Sequence, residues 1–339
     1  MIKIKDIAAK CGVSIATVSK ALNDRADLSE ATQKKIKKIA QQMGYIPNGS
    51  ARALKTHFSN NIGILFYDKT QSGLEHEYFS LILNSVKVAA EAEGFDITFI
   101  SNRVGGSDLT YYQHALYRNC DGVILACVDY DDKEILELVN SGVPVVTIDH
   151  ISDNKQAVLS DNSKGMAEIM NYVYSKGHRK IAFIHGEMNE VTESRLEGFY
   201  KAAKDFNLNI PKEYVKEGVF HLPKASGRAV RELLALDDRP TCILFPDDYS
   251  LLGGLTEIEK HGLRVPEDIS IVGYDGIKLS RLLRPELTTY VQNTEDIGKY
   301  AVKKLVEVIR NNNGPSVFEH TIVRGTLQEG GTVKDINSK

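Results

Sequence analysis

The sequence predicts an α/β protein made of a small all-helical head followed by two Rossmann-like lobes, each a parallel sheet covered by helices. Three observations carry this. The first 60 residues hold eleven Lys and Arg against four acids, a balance of +7, while the whole chain carries −3, so the other 279 residues carry −10. Apolar residues in the head recur at helical spacing. From Asn61 onward, short β-branched apolar runs alternate with amphipathic stretches. A chain of 339 residues suggests two or three domains, and 42% apolar with 26% charged residues is enough to bury real cores.

Composition also excludes several classes. No apolar run approaches the roughly 20 residues of a membrane helix. The opening Met1–Asp6 lacks the apolar core of a signal peptide, so the expected location is cytoplasmic. Cys11, Cys120, Cys127 and Cys242 show no CxxC or Cys/His spacing, so neither a disulfide framework nor a zinc site is expected. Gly253-Gly254 and Gly330-Gly331 fit neither GxGxxG nor Walker spacing. No catalytic constellation, cofactor or metal is expected.

In the head, Ile4, Ile7, Ala8 and Cys11 fall on one helix face, and Gly12 supplies a stop. Ser14 is suited to cap a second helix over about 15–22, with Val18, Ala21 and Leu22 inward and Ile15, Ala16, Ser19 and Lys20 on the other face. Ser29 can cap a third, with Ile36, Ile39, Ala40 and Met43 inward. Two short helices around a tight glycine turn, completed by a third, form a helix-turn-helix, and a basic head of this kind suits DNA.

In the body, strands are expected at 62–66, 96–100, 122–126, 143–148, 180–185, 241–245 and 269–273. Helices are expected at 77–93, 164–176, 194–206 and 249–261. Such alternation implies parallel sheets with ligand bound at the carboxyl ends of their strands. Several polar residues fall at those ends. Asp149, Asp247 and Asp275 follow strands, and Arg195 falls at an expected helix start. Carboxylates and a guanidinium make charge-assisted hydrogen bonds to vicinal hydroxyls. With no Trp in the chain, Tyr, Phe or His must supply any stacking platform. Asp247 could instead cap the helix near Tyr249, and Asp247-Asp248 reads as a cap rather than an acid/base pair.

The run Ile4-Lys5-Asp6-Ile7-Ala8, then Gly12-Val13-Ser14-Ile15-Ala16-Thr17-Val18-Ser19-Lys20-Ala21-Leu22-Asn23, resembles the head of the lac/galactose repressor family of bacterial transcription regulators. Gly44-Tyr45-Ile46-Pro47-Asn48 through Leu54 resembles that family's hinge. Asp121–Ile124, Pro144–Asp149, Gly177–Ile184, Ser194–Phe199, Leu263–Asp275 and Pro285–Thr289 resemble its periplasmic-binding-protein-like core. The likeness spans about residues 2–325.

The resemblance implies a head over 1–47, a hinge helix and linker over 48–60, and an effector-binding and dimerisation core over 61–339. The first lobe would comprise 61–161 and 292–322, the second 162–291 and 323–339. Ile15, Ala16 and Lys20 match major-groove readers, the first two against thymine methyls and Lys20 toward a guanine edge. Ser14, Thr17, Ser19 and Asn23 match phosphate contacts, and Leu54 matches a minor-groove wedge. Arg195, Asp275 and Phe220 match effector contacts, as do the aromatic positions Tyr78, Phe79 and His150; Asp149 and Asp247 join them as effector candidates by their place at strand ends.

The implied protein is a homodimeric repressor. Its partners are a pseudo-palindromic double-stranded DNA operator and a small-molecule effector, by expectation a sugar. A corepressor-dependent regulator of a non-sugar ligand is the alternative within the class. A free solute-binding protein is the alternative outside it, though that leaves the helix-turn-helix unexplained.

Overall fold

The structure is a computed structural model and describes residues 2–23, 25, 27–46, 58–67, 73–311 and 318–337. The chain divides into two compact units, 1–59 and 60–339. The hinge segment 47–57, with Leu54, lies outside the described residues.

In the first unit, α1 (Ile4–Cys11) ends at Gly12, whose φ of 68° is the left-handed conformation that favours glycine. The Ser14 hydroxyl accepts from the Thr17 amide at 3.0 Å and opens α2 (Ile15–Leu22). Ser29 caps α3 (Glu30–Gln42) in the same way. Ile7, Ala8, Val18, Ala21, Ile36 and Ala40 are buried between the three helices. A core this small leaves the opposite face of α2 free, with Ile15 56% exposed. An apolar side chain so exposed is unusual enough to ask what it meets.

Among the described residues, the second unit contains two six-stranded sheets. One runs β13-β7-β6-β5-β1-β2, all parallel, from β1 (Asn61–Phe66), β2 (Asp96–Phe99), β5 (Gly122–Ala126), β6 (Val145–Ile148), β7 (Gln156–Ser160) and β13 (His320–Val323). The other runs β14-β12-β11-β10-β8-β9, from β8 (Ile181–His185), β9 (Val215–Glu217), β10 (Cys242–Leu244), β11 (Ser270–Asp275), β12 (Thr289–Val291) and β14 (Thr326–Gln328). It is parallel except that β14 runs antiparallel to β12. A short hairpin, β3 (Arg103–Val104) with β4 (Ser107–Asp108), lies apart.

The chain passes between lobes three times: after Ser160, after Val291 and after Val323. Val323 pairs with Ser160 in the first sheet, one residue beyond the expected boundary at 322. Helices cover the sheets, among them α4 (Glu77–Glu93), α7 (Asn162–Ser175), α8 (Glu190–Asp205), α9 (Pro223–Leu234), α10 (Leu251–Lys260), α11 (Lys278–Leu282) and α12 (Thr294–Arg310); α5 (Tyr111–Tyr117) and α6 (Lys133–Val139) lie beside the hairpin and β5 in the chain. The second lobe's core has two halves. Phe183, Phe199, Leu244 and Tyr274 lie in one, and Ile184, Phe245, Leu251 and Ile271 in the other.

Most boundaries shift by one or two residues from the sequence expectation, and two of the shifts have a clear physical reason. Helix α8 begins at Glu190 rather than 194, because the Asn189 side chain accepts from the Thr192 amide at 2.9 Å and two glutamates occupy the first turn. Arg195 therefore sits in the second turn, not at the helix start. Strand β6 begins at Val145 rather than 143: Pro144 has no N–H to offer a ladder, although its carbonyl accepts from Val123 at 2.8 Å.

Candidate functional site

The DNA-facing candidates of the head gather on α2. Ile15, Ala16 and Lys20 are exposed, and Thr17 and Ser19 are partly so. The Ser14 and Thr17 hydroxyls lie 2.9 Å apart. Asn23, the C-terminal cap of α2, donates from Nδ2 to the Ser19 carbonyl at 2.6 Å, which fixes its side chain beside the helix end. Lys20 forms an ion pair with Asp27 at 2.5 Å.

In the core, the carboxyl ends of β6 and β11 bring Asp149 and Asp275 to the junction of the lobes. Asp149 has a φ of 56°, which turns the chain sharply out of β6. Its Oδ1 accepts from the Ser160 amide at 2.6 Å, tying the β6 end to the first interlobe crossing. Asp275 has a φ of 104°, a backbone strain of the kind that persists only where the surroundings enforce it. Its Oδ1 accepts from Gln292 Nε2 at 2.7 Å, which ties the β11 end to the second crossing. The Tyr78 hydroxyl, from the first turn of α4, lies 3.3 Å from both Asp149 Oδ2 and Gln292 Oε1, completing a chain that runs from lobe to lobe.

Arg195 is the buried cation of this cluster, only 4% exposed. Its Nε donates to Asn162 Oδ1 at 2.8 Å and its Nη1 to the Pro246 carbonyl at 2.7 Å. The guanidinium lies 3.5 Å from the centroid of the Tyr274 ring and 5.7 Å from that of Phe220. These contacts hold the planar fork in one orientation. Nη2 remains 4.0 Å from Asp275 Oδ1, too long for a direct hydrogen bond.

The carboxylates are poorly compensated. Burial pushes the Asp275 carboxyl up to about 7, against the opposing pull of Arg195 and with the Asp247 charge adding to the rise. Burial also raises Asp149, with the Ser160 hydrogen bonds and Arg195 acting the other way. Asp248 is raised well above the usual carboxylate range by burial and by the Asp275 charge. It is a structural residue: Oδ1 accepts from Thr289 Oγ1 at 2.6 Å and Oδ2 from the Ile277 amide at 3.0 Å.

Asp247 does serve the capping role weighed for it. Its Oδ1 accepts from the Ser250 amide, while Oδ2 accepts from the Ser250 hydroxyl and from the His221 amide, all within 2.7–3.0 Å. It joins the strand-to-helix turn before α10 to the loop that carries Phe220. The ring of Phe220 occupies the space a side chain at Gly186 would need, so the glycine permits its placement.

Aromatic residues lie around this cluster. Phe79 packs edge-on to Tyr78 and against Phe66. His150 stacks on Tyr130 with centroids 3.5 Å apart. His150 also pairs through Nδ1 with Glu190 Oε1 at 2.7 Å, yet burial holds its pKa below the usual histidine value. Glu190 Oε2 accepts from the Ile151 amide at 3.0 Å, so one carboxylate of the second lobe holds two groups of the first. In the opposite sense, Glu77 of the first lobe accepts from the Lys278 amide at 2.9 Å. His76 of the first lobe stacks on His221 of the second, and His221 on Tyr249, both with centroids 4.1 Å apart.

The residues that sequence reasoning missed are mostly ones that bridge, Asn162, Gln292, Glu190 and the His76–His221–Tyr249 stack; Tyr130, which supports His150 within the first lobe, was missed as well. Asn162 and Gln292 lie at expected crossings, which was the available signal. Among the described residues, no helix is long and apolar enough to cross a membrane, and no cluster of three metal-ligating side chains occurs.

A helix-turn-helix joined to a two-lobed core, with a buried guanidinium and carboxylates converging at strand ends, defines a DNA-binding transcription regulator with an effector-binding core. Residues 3–48 match the family model described as bacterial regulatory proteins, lacI family, and residues 170–333 match a periplasmic binding protein-like domain. The HTH-type transcriptional repressor PurR of Aliivibrio salmonicida (strain LFI1238) is 32% identical over 319 residues, covering 92% of this chain and 94% of that one. The probable HTH-type transcriptional repressor ExuR of Bacillus subtilis (strain 168) is 32% identical, covering 91% and 92%. The lac repressor dimer bound to operator and the anti-inducer ONPF superposes with a TM-score of 0.82 at 25% identity, over 98% of this chain and 99% of that one. The chain belongs to the lacI family of bacterial regulatory proteins.

Proposed function

We propose that the protein is a transcriptional repressor whose operator affinity is set by a sugar or sugar-like effector bound between the two core lobes. It acts as a homodimer, with two heads on the half-sites of a pseudo-palindrome. Ile15, Ala16 and Lys20 read base edges; Ser14, Thr17, Ser19 and Asn23 hold phosphates; Leu54 enters the minor groove. In the core, Arg195, Asp275 and Asp149 bind effector hydroxyls, with Phe220, Tyr78, Phe79 and His150 packing around its apolar faces. Asp247 contributes by holding the Phe220 loop in position.

The observation that carries the effector class is the 4.0 Å gap between Arg195 Nη2 and Asp275 Oδ1. A hydroxyl lying to one side of the pair, within hydrogen-bond distance of both atoms, accepts from the guanidinium and donates to the carboxylate. A ligand carboxylate or phosphate would meet Asp149, Asp247 and Asp275 with, among the described residues of the cluster, only Arg195 to offset them. A neutral polyol therefore suits the cleft better than an acidic sugar. The stacked ring pairs support a second reading, a planar heterocycle acting as corepressor.

A gel shift with DNA upstream of the protein's own coding region tests the DNA-binding role. A thermal-shift panel of neutral sugars, hexuronates and purines then tests the effector. A neutral sugar should raise the melting temperature and change operator affinity. A response only to purines would favour the second reading. Failure to shift any palindrome at low salt, with or without these compounds, would remove the repressor.

A further inference from the structure

We propose that Asp27 is a specificity-determining residue of the head, positioning the Lys20 ammonium for base recognition at the expense of general DNA affinity. The inference rests on the reading of Lys20 as a base contact. A lysine is a point charge on a flexible four-carbon stem, without the planar fork that lets arginine fix its own geometry on a guanine edge. Something else has to restrict it.

Asp27 is placed to do so. Its carboxylate lies 2.5 Å from Lys20 Nζ, and the two side chains are 49% and 54% exposed, so the pair stands on the open face of the head rather than in its core. The Lys20 ammonium holds the Asp27 carboxyl below its usual value. The loop that carries Asp27 is itself anchored. The Arg25 amide donates to the Lys20 carbonyl at 3.1 Å. Gln33, from α3, donates through Nε2 to the Arg25 carbonyl at 2.7 Å and, at 3.4 Å, to the Leu28 carbonyl. Asp27 is thus a charge on a braced turn facing a charge on a mobile stem. The braced partner sets where the mobile one is found.

A carboxylate on a DNA-facing surface also repels phosphates. The head is otherwise basic, at +7 over its first 60 residues. One negative charge beside the reading helix weakens binding to every sequence, and is offset only where Lys20 meets its matching base. That combination favours discrimination over affinity.

The experiment uses the full-length chain and a pseudo-palindromic duplex selected by it from a random pool. Affinities are measured for that duplex, for each of its single-base-pair variants, and for unrelated duplex DNA. Asp27→Asn should bind unrelated DNA two- to fivefold tighter. It should lose three- to tenfold of its discrimination at one base pair per half-site, the same pair at which Lys20→Ala loses preference. In the Lys20→Ala chain, adding Asp27→Asn should raise all affinities alike and change discrimination no further. Lys20→Arg should restore part of the discrimination lost in Asp27→Asn, because arginine brings its own geometry. A thermal midpoint unchanged by Asp27→Asn confirms an intact head, as expected for an exposed ion pair.

If Asp27→Asn tightens every duplex equally and leaves the preference intact while Lys20→Ala abolishes it, the positioning role is wrong and the ion pair is incidental. If Lys20→Ala itself leaves base preference unchanged, the base-contact reading fails and takes the inference with it.

Discussion

Replacing Asp275 by Asn should make the effector-free core more stable at pH 8 and leave it unchanged at pH 4. The carboxyl is raised from an ordinary value of 3.8 to about 7, chiefly by burial. In the window between those values the folded chain holds a proton that the unfolded chain has released. Stability therefore falls as pH climbs through the window and levels off above about 7. Each tenfold change in proton affinity corresponds to about 1.4 kcal/mol, so the ionised Asp275 costs the fold up to about 4 kcal/mol at pH 8. Asparagine removes that cost and keeps the Oδ1 acceptor for Gln292 Nε2, now 2.7 Å away. The attraction to Arg195, 4.0 Å away, is already contained in that raised value, so its loss adds no separate offset.

The assay is urea unfolding of the full-length chain, following the core transition from pH 4 to 8. Asp149 and Asp248 are raised as well, so the wild type's own slope is not diagnostic; the difference between the two chains is. Asp275→Asn should gain about 1–4 kcal/mol on the wild type across the window. Parallel stability curves would refute the reasoning. The same variant should bind operator normally and no longer respond to effector, and a normal response would remove Asp275 from the proposed site.

Three further outcomes follow from the same contacts. Arg195→Met should destabilise the core by about 3–5 kcal/mol, since it leaves the Asp275 carboxylate without its counter-charge, the Pro246 carbonyl without the guanidinium donor and Asn162 Oδ1 with only the Tyr274 hydroxyl at 3.3 Å; adding Asp275→Asn should recover a large part of the loss in the same unfolding assay. Ser14→Ala should cost the head about 1 kcal/mol through loss of the cap on α2, seen as a lower melting transition for the head with the core's unmoved. Gly198→Ala should cost about 1–3 kcal/mol, because the new methyl group meets the Ser163 carbonyl where α8 packs on α7; a melting temperature unchanged by calorimetry would contradict that packing.

The parts of the molecule that were legible in sequence are those whose stability is local. The helix at Glu77–Glu93 was readable end to end, because seventeen residues carry their own apolar stripe and Gly94 ends it with a φ of 80°. The head's second helix was equally plain, framed by Gly12 and Ser14. Strands β9, β12 and β14 were not legible, because their three residues mix polar with apolar types, unlike the equally short but wholly apolar Cys242–Leu244. Of the site residues, the carboxylates and Arg195 were readable because they follow strands or sit in recognisable runs, but their states were not. The cap on Ser250 is three residues away and was readable, but nothing local to Asp247 decides that its carboxylate also holds the His221 amide. Nothing local to Asp275 decides that burial outweighs Arg195.

Fold class and family, the charged head and the identity of most candidate residues thus follow from short-range pattern, where one helix face or one cap is settled within a few residues. The bridging contacts across the cleft, from Glu190 to Ile151 and from His76 to His221, join residues 39 and 145 positions apart. The same is true of the elevated carboxyl at Asp275, which depends on charges brought together by both sheets. Such energies depend on distance and on exclusion of water, and both exist only once the two lobes have packed.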